Sequence, residues 1–289
     1  MLEDGIAYIR ISQFQEHTAS DLSKYLIDLQ KKNHLKGLVL DLRNDPGGLL
    51  NAAVGVVAAF VEPDQVVVST KGRTNDSNRT FKTRQTDYLN YGQDPDDDLV
   101  AKVPPQAKTV PMVVLINAAS ASASEIVSGA LQDHKRAKIM GQQSFGKGSV
   151  QTVLPLRALD GGEPTTGIKL TTSRYYTPSG RSIQATGITP DIEIADTAEG
   201  NYATFNIREA DLAHHLKSDE EVRAYEKKQQ EESKKQVDES EQPKTRYFFG
   251  DKNDFQLQQA VKVLKGEKYL TGFEKKKEVA NKVKTTTKK

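Results

Sequence analysis

Apolar and polar positions along this chain predict a β-sheet flanked by helices. Short, nearly continuous apolar runs, typical of strands buried on both faces, occupy residues 5–11, residues 35–42 and residues 110–117. Apolar residues at helical spacing occur in residues 20–32, in the almost wholly apolar run LLNAAVGVVAAFV and in EIVSGAL, residues 125–131. A last strand is expected in DIEI, near residue 194.

One order of elements occurs twice: an apolar strand, a turn of small residues, and a helix. The first turn contains DPGG, residues 45–48, and the second contains SASAS, residues 120–124. Such units favour a mixed α/β core with parallel strands, and they place both turns just past the carboxyl ends of strands, where open α/β sheets build their sites. Read alone, DPGG is a turn and SASAS a helix cap.

The remaining segments are more polar. Residues 70–109 are polar, and the middle of this stretch is interpreted as a mobile excursion between strands. Residues 217–242 are densely charged and are interpreted as a solvated linker, whereas NDFQLQQAVKVLKG (253–266) has an apolar helical face that can dock on the core. The basic tail, 274–289, is expected to be disordered. We therefore predict a core over residues 1–200 and a charged helical extension over 201–289.

Composition narrows the classes of function. The formal net charge of the 289 residues is +2, which suggests neither nucleic acid nor a membrane surface as a partner. The absence of cysteine excludes disulfides and thiol catalysis, and the five histidines lack the spacing of metal ligands. No apolar run approaches the roughly 20 residues of a transmembrane helix. We expect no metal and no cofactor.

The serine-rich turn is the candidate for chemistry. A hydroxyl at the start of a helix lies near unpaired N–H groups, which stabilise a developing oxyanion. Serine needs a base, and His134 follows the predicted helix, which leaves Lys147 among uncharged neighbours. Desolvation can keep such a lysine neutral, and Ser-Lys pairs are a known variant of the serine triad. The residues by themselves leave Ser120, Ser122 and Ser124 as equal candidates.

A nucleotide-binding loop is a weaker alternative. Residues 141–147, GQQSFGK, satisfy the first seven positions of a phosphate-binding P-loop. The eighth position should be Ser or Thr and is Gly148. The following SVQTVLPL alternates like a strand, where a P-loop requires a helix to begin.

Five stretches together resemble the carboxyl-terminal processing proteases, also called tail-specific proteases. They are GIAYIRISQF, GLVLDLRNDPGG, NAASASASEIVSGALQD, FGKGSVQ and KLTTSRYYTPSGRSIQATGITPDIEI, which occur in the family's order over most of residues 5–194. The resemblance implies the ClpP/crotonase-like fold of that family. It also implies a serine endopeptidase that acts near protein carboxyl termini.

Residue by residue, the resemblance assigns roles that the pattern alone does not. It selects Ser122 as the nucleophile, Lys147 as the base and Gln151 as the residue that orients the lysine. It gives the oxyanion hole to the backbone N–H groups of Ala123 and Gly48. The remaining positions implied are Gly47, as the alternative oxyanion glycine, and Glu125 and Asp133, as supporting acids.

Relatives ordinarily carry a secretion signal and a PDZ domain before the core, whereas this sequence opens at Met1 directly before the first core strand. A cut fragment, a truncated gene product and a lone catalytic domain all explain that opening. The resemblance implies protein or peptide substrates with accessible carboxyl termini. It implies a periplasmic or cell-envelope location for the full-length parent, and leaves the oligomeric state open. A catalytically silent core that acts as a binding protein is the competing hypothesis.

Overall fold

Two β-sheets and six helices make up the part of the chain that the structure describes. This computed structural model describes residues 1–32, 35–90, 93–156, 166–201, 208–212, 216–217 and 249–273. The strands are β1 (Ile6–Arg10), β2 (Gly37–Asp41), β3 (Val66–Gly72), β4 (Arg79–Lys82), β5 (Met112–Ile116), β6 (Lys138–Gly141), β7 (Ser149–Leu156), β8 (Thr166–Tyr176) and β9 (Ile192–Glu193). The helices are α1 (Thr18–Lys32), α2 (Leu50–Ala58), α3 (Gln85–Tyr88), α4 (Gln106–Thr109), α5 (Ala123–Asp133) and α6 (Phe255–Lys265).

The central sheet is parallel and has the strand order β1-β2-β5-β6-β9. Each strand predicted from an apolar run lies in it, including the short β9 within DIEI. The mixed α/β core with flanking helices is therefore confirmed. The glycine loop, which we define as residues 42–48, follows β2, and the serine turn, residues 117–122, follows β5. Because β2 and β5 are parallel neighbours, both turns emerge at the same edge of the sheet.

Alternate residues of the central strands pack into two hydrophobic clusters, one on each face of the sheet. Leu38 and Leu40 belong to the larger cluster, which includes apolar side chains of α1, α2 and α5. Val39, between them, belongs to the smaller cluster with Leu257 and Ala260 of α6. This is why the sequence of β2 is apolar at every position from 37 to 40. The docking of α6 is confirmed, and the proposed boundary at residue 200 stays a prediction.

The second sheet is antiparallel, with the order β4-β3-β8-β7. The polar stretch 70–109, whose middle is expected from the sequence to be an excursion, contains β4 and two short helices, and β4 pairs with β3. β7 coincides with SVQTVLPL, so the strand expected there is confirmed and the helix required by a P-loop is replaced by a strand. The charged stretch after residue 217, the basic tail and the pair His214 and His215 lie outside the described residues. Within the described ranges, no helix is long and apolar enough to cross a bilayer.

A buried ionic cluster ties α6 to the end of β2. Arg43 donates to both carboxylate oxygens of Asp254, at 2.9 and 2.6 Å, and to both oxygens of Asp41, at 2.9 and 2.7 Å. Asp254 also caps α6, since its Oδ1 accepts from the backbone N–H of Leu257. All three charged side chains are buried. The first residues of the glycine loop are thus anchored to the carboxyl-terminal helix.

We predict that Asp254→Ala lowers the free energy of unfolding by about 3–5 kcal/mol, because it leaves the buried Arg43 without half of its carboxylate partners. Urea unfolding measures the change. The control is Asp64→Ala, which removes exposed ion pairs with Lys82 and Arg84 and should lower the free energy of unfolding much less, because water screens exposed charges. Equal losses for the two variants would contradict a structural role for the buried cluster.

Candidate active site

The glycine loop and the serine turn are joined by hydrogen bonds at the edge of the central sheet. The Ser120 hydroxyl donates to Leu42 O at 2.8 Å, and the Ala121 N–H donates to Asp45 O at 3.0 Å. Asn44 and Asn117 add a reciprocal pair, at 3.0 and 2.6 Å. These bonds fix the position of one turn relative to the other, although about 70 residues separate them in the chain.

The surroundings of the three serines distinguish them. Ser120 and Ser124 are fully buried, and their hydroxyls donate to the carbonyls of Leu42 and Asp45, respectively. Ser122 is partly exposed and precedes the first residue of α5, with φ of 55° and ψ of −110°. A positive φ is strained for a residue with a Cβ, and such strain clusters at functional sites. The geometry therefore favours Ser122 without appeal to resemblance.

A single buried carboxylate, that of Glu125, joins the serine turn to the lysine loop, which we define as residues 144–148. Its Oε2 accepts from the backbone N–H groups of Ser122, at 2.8 Å, and Lys147, at 2.9 Å. Its Oε1 accepts from the Ser144 hydroxyl and from the Gly146 N–H, both at 2.6 Å. The backbones of Ser122 and Lys147 thus meet at one oxygen atom.

Burial and hydrogen bonding act on Glu125 in opposite directions. Complete burial disfavours the charged form and raises the pKa of Glu125 to about 7, although the four donors lower it. The ionised form is the one that can accept from all four donors, since a protonated oxygen becomes a donor itself. All four hydrogen bonds to Glu125 are therefore formed when its carboxylate is ionised.

The two glycines of DPGG have different environments. The Gly47 N–H donates to Asp45 Oδ1 at 2.8 Å, whereas the Gly48 N–H has no acceptor among the described residues. Gly47 also lies against the start of α5, because a Cβ built on it would fall 2.9 Å from the N atom of Ala123. Ala123 is the first residue of α5, so its N–H has no acceptor within the helix. The N–H groups of Gly48 and Ala123 are the ones left available.

The remaining predicted site residues are spread more widely. Lys147 is half-buried, and Gln151 is exposed on β7, opposite Thr171 of β8. Asp133 ends α5, about 16 Å along the helix axis from Ser122. There it accepts from Ser179 N–H and Arg181. Burial raises the pKa of Asp133, but hydrogen bonds with Thr177 and Ser179 and the charge of Arg181 together lower it. The structure thus gathers Ser122, Glu125, Lys147 and the glycine loop, and it leaves Asp133 apart.

His134 lies at the same distant end of α5, where its Nε2 lies 2.7 Å from the Val66 carbonyl oxygen. This position agrees with its rejection as a base for the serine. Among the residues that the structure describes, no group of three or more His, Asp or Glu side chains is arranged to hold a metal ion.

Two polar residues of the site were not singled out from the sequence. Ser144 is fully buried, donating to Glu125 and accepting from the Ile188 N–H at 2.6 Å. Asp45 is fully buried, and its Oδ2 has no hydrogen-bond partner among the described residues. The aspartate of a DPGG turn resembles any turn residue, and a lone serine carries no periodicity, so neither gave a signal.

Comparisons with known proteins find similar sequences for most of this chain. The sequence model of peptidase family S41 matches residues 5–194. The carboxy-terminal-processing protease of Bartonella bacilliformis is 42% identical over 271 residues, covering 92% of this chain and 53% of that protein. The carboxy-terminal processing protease CtpB of Bacillus subtilis is 38% identical over 190 residues, covering 66% of this chain and 34% of its own.

Solved structures include similar folds. The photosystem II D1 C-terminal processing protease aligns with a TM-score of 0.51 and 32% identity, covering 65% of this chain and 42% of that one. A putative S41 protease from Bacteroides fragilis aligns over 90% of this chain and 54% of its own with a TM-score of 0.56, and at 18% identity this shows the fold alone. The chain spans about half the length of the Bartonella protein and about a third of the Bacillus one.

We predict that Asp45→Asn stabilises the protein at pH 8 but not at pH 4. Burial raises the pKa of Asp45 to about 6, above the usual value near 4, so the folded state favours the protonated carboxyl. The stability that Asp45 contributes is complete below about pH 4 and is lost as the pH rises through 6. Asparagine stays neutral and keeps an acceptor for Gly47, so we expect a gain of roughly 1–2 kcal/mol at pH 8. Urea unfolding at both pH values measures it; equal effects at pH 4 and 8 would contradict the prediction.

Proposed function

Because this chain belongs to peptidase family S41, we propose that it is a serine endopeptidase that uses a Ser-Lys dyad to cleave polypeptides near their carboxyl termini. The observation that carries the proposal is the position of Glu125, whose carboxylate binds the backbone of Ser122 and of Lys147 at one oxygen. The strained, partly exposed Ser122 at the start of α5 supports its role as the nucleophile.

The chemistry follows from these groups. Lys147 removes the hydroxyl proton of Ser122 as the Oγ atom attacks a peptide carbonyl, and it then gives that proton to the leaving amine. Water cleaves the resulting ester by the same route, with Lys147 again acting as base and then returning a proton to Ser122. Gln151 is assigned to orient the lysine on the family resemblance.

The oxyanion that forms in both steps needs hydrogen-bond donors already in place. We assign this role to the N–H groups of Gly48 and Ala123. The Gly47 N–H, proposed as the alternative, already donates to Asp45. The bonds between the glycine loop and the serine turn, such as Ala121 N–H to Asp45 O, would keep the two donors at a fixed separation.

The substrate class rests on the names of similar proteins, several of which are described as carboxy-terminal processing proteases. We extend this to the present chain as polypeptides with an accessible carboxyl terminus. On the family resemblance alone, we also propose a periplasmic or cell-envelope location for the full-length protein.

We predict that Ser122→Ala and Lys147→Ala each lower kcat by at least about 10³-fold while the fold is retained, because each removes one member of a coupled pair. Lys147→Arg should be equally inactive, since arginine keeps the charge but does not give up its proton. Cleavage of an unstructured protein, with circular dichroism as the fold control, measures the effects.

Three results would speak against the dyad or the enzyme. Activity retained by Lys147→Ala would overturn the role of the lysine. Identical products from the unmodified chain and Ser122→Ala would indicate a contaminating protease. No products from any form would favour the catalytically silent binding protein.

We predict that Glu125→Gln lowers kcat by about 10²-fold. The NH₂ group of the glutamine would replace an oxygen that accepts from two donors, and it cannot accept from either of them. The serine turn or the lysine loop would therefore be displaced. The control is Glu62→Gln, which changes an exposed carboxylate and should leave kcat unchanged. Steady-state kinetics on the same substrate measure both. Unchanged kcat in Glu125→Gln would show that the carboxylate does not organise the site.

A further inference from the structure

A short segment beyond the family match lies against the lysine loop. Residues 208–212 include a single 3₁₀ turn, Glu209–Asp211, and the family model ends at residue 194. The Arg208 guanidinium donates through Nε to the Ser144 carbonyl oxygen at 3.2 Å, and the Glu209 N–H donates to the Phe145 carbonyl oxygen at 3.0 Å. The segment therefore binds the first two carbonyls of the lysine loop.

The other end of the loop is held by Gln184, which is fully buried. Its Oε1 accepts from the Gly148 N–H at 3.1 Å. Its Nε2 donates to Glu209 Oε1 at 3.1 Å and to the Leu216 carbonyl oxygen at 2.8 Å. Gln184 thus connects the residue after Lys147 to the residue that binds Phe145.

The chain around residue 185 completes the contact. Arg208 Nη2 donates to the carbonyl oxygens of Thr186, at 2.7 Å, and Ala185, at 3.4 Å. The Ala185 N–H donates to the Gly146 carbonyl oxygen at 2.8 Å. A Cβ on Gly146, whose φ is +99°, would fall 3.0 Å from the carbonyl carbon of Ala185. The loop is packed too closely to shift unless this turn shifts with it.

We propose that Arg208 and Glu209, acting with Gln184, form a clamp that positions Lys147 for catalysis. Glu125 binds the loop through the N–H groups of Gly146 and Lys147, and the clamp binds it through Ser144 O, Phe145 O and the Gly148 N–H. The inference rests on the proposed role of Lys147 as the base. It extends the catalytic unit past the family-matched region, and the three clamp residues are positioning residues that do not touch substrate.

The kinetic test uses the full chain carrying Arg208→Ala or Glu209→Ala. Small displacements of a catalytic group lower the rate of the chemical step, so we expect kcat to fall by about 10-fold or more while KM stays within about twofold. Glu209→Gln keeps an oxygen acceptor for Gln184 and should retain most of the activity. Arg84→Ala is the matched control, because it removes an arginine that pairs with the exposed Asp64, next to the ends of β3 and β4.

Amide hydrogen exchange provides a readout that does not need activity. In the two alanine variants, the amides of residues 145–148 should exchange at least about threefold faster than in Arg84→Ala, with α5 and β2 unchanged. Unchanged kcat, or unchanged exchange in the loop, would overturn the clamp even if cleavage still depends on Ser122. If the unmodified chain cleaves no substrate, that result counts against the proposed function. Amide hydrogen exchange would still show whether the clamp holds the lysine loop.

Discussion

The site depends on one buried carboxylate with four donors. Glu125 is inaccessible to solvent, so its charge is tolerated only because hydrogen bonds replace water around both oxygens. Those donors come from the start of α5 and from a loop about 20 residues later. Removing either segment would leave a buried acceptor unsatisfied, so the requirement that keeps Glu125 paired also keeps Ser122 beside Lys147.

The sheets explain why these segments can meet. Parallel strands bring the glycine loop and the serine turn to one edge of the central sheet. The antiparallel sheet, through β7, begins directly after the lysine loop. Helix α6 covers the other face of the central sheet and, through Asp254 and Arg43, anchors the start of the glycine loop. The site is therefore held in place by both sheets and by α6, which binds Arg43 through Asp254.

Much of the fold could be predicted because local periodicity reports burial. The strands at residues 37–41 and 112–116 are apolar at nearly every position, since the sheet is covered on both faces. Strand β4 escaped prediction. Its four residues, RTFK, lie at the edge of a sheet and are exposed or partly exposed, so they do not alternate between apolar and polar types. The pairing of β3 with both β4 and β8 is equally invisible, since strand register is a property of two distant segments.

The sequence by itself determined five of the strands, four of the helices, the two turns at strand ends and the residue types that serine chemistry needs; these elements are β1, β2, β5, β7, β9, α1, α2, α5 and α6. It could not choose among Ser120, Ser122 and Ser124, because the three are alike in type and spacing. The tertiary structure separates them by burying two hydroxyls against carbonyls of the glycine loop and leaving the third on a strained backbone. Only the tertiary structure also decides which groups surround Glu125, Asp45 and Arg208. Hydrogen bonds between segments distant along the chain depend on where folding brings each backbone group, which no local pattern encodes.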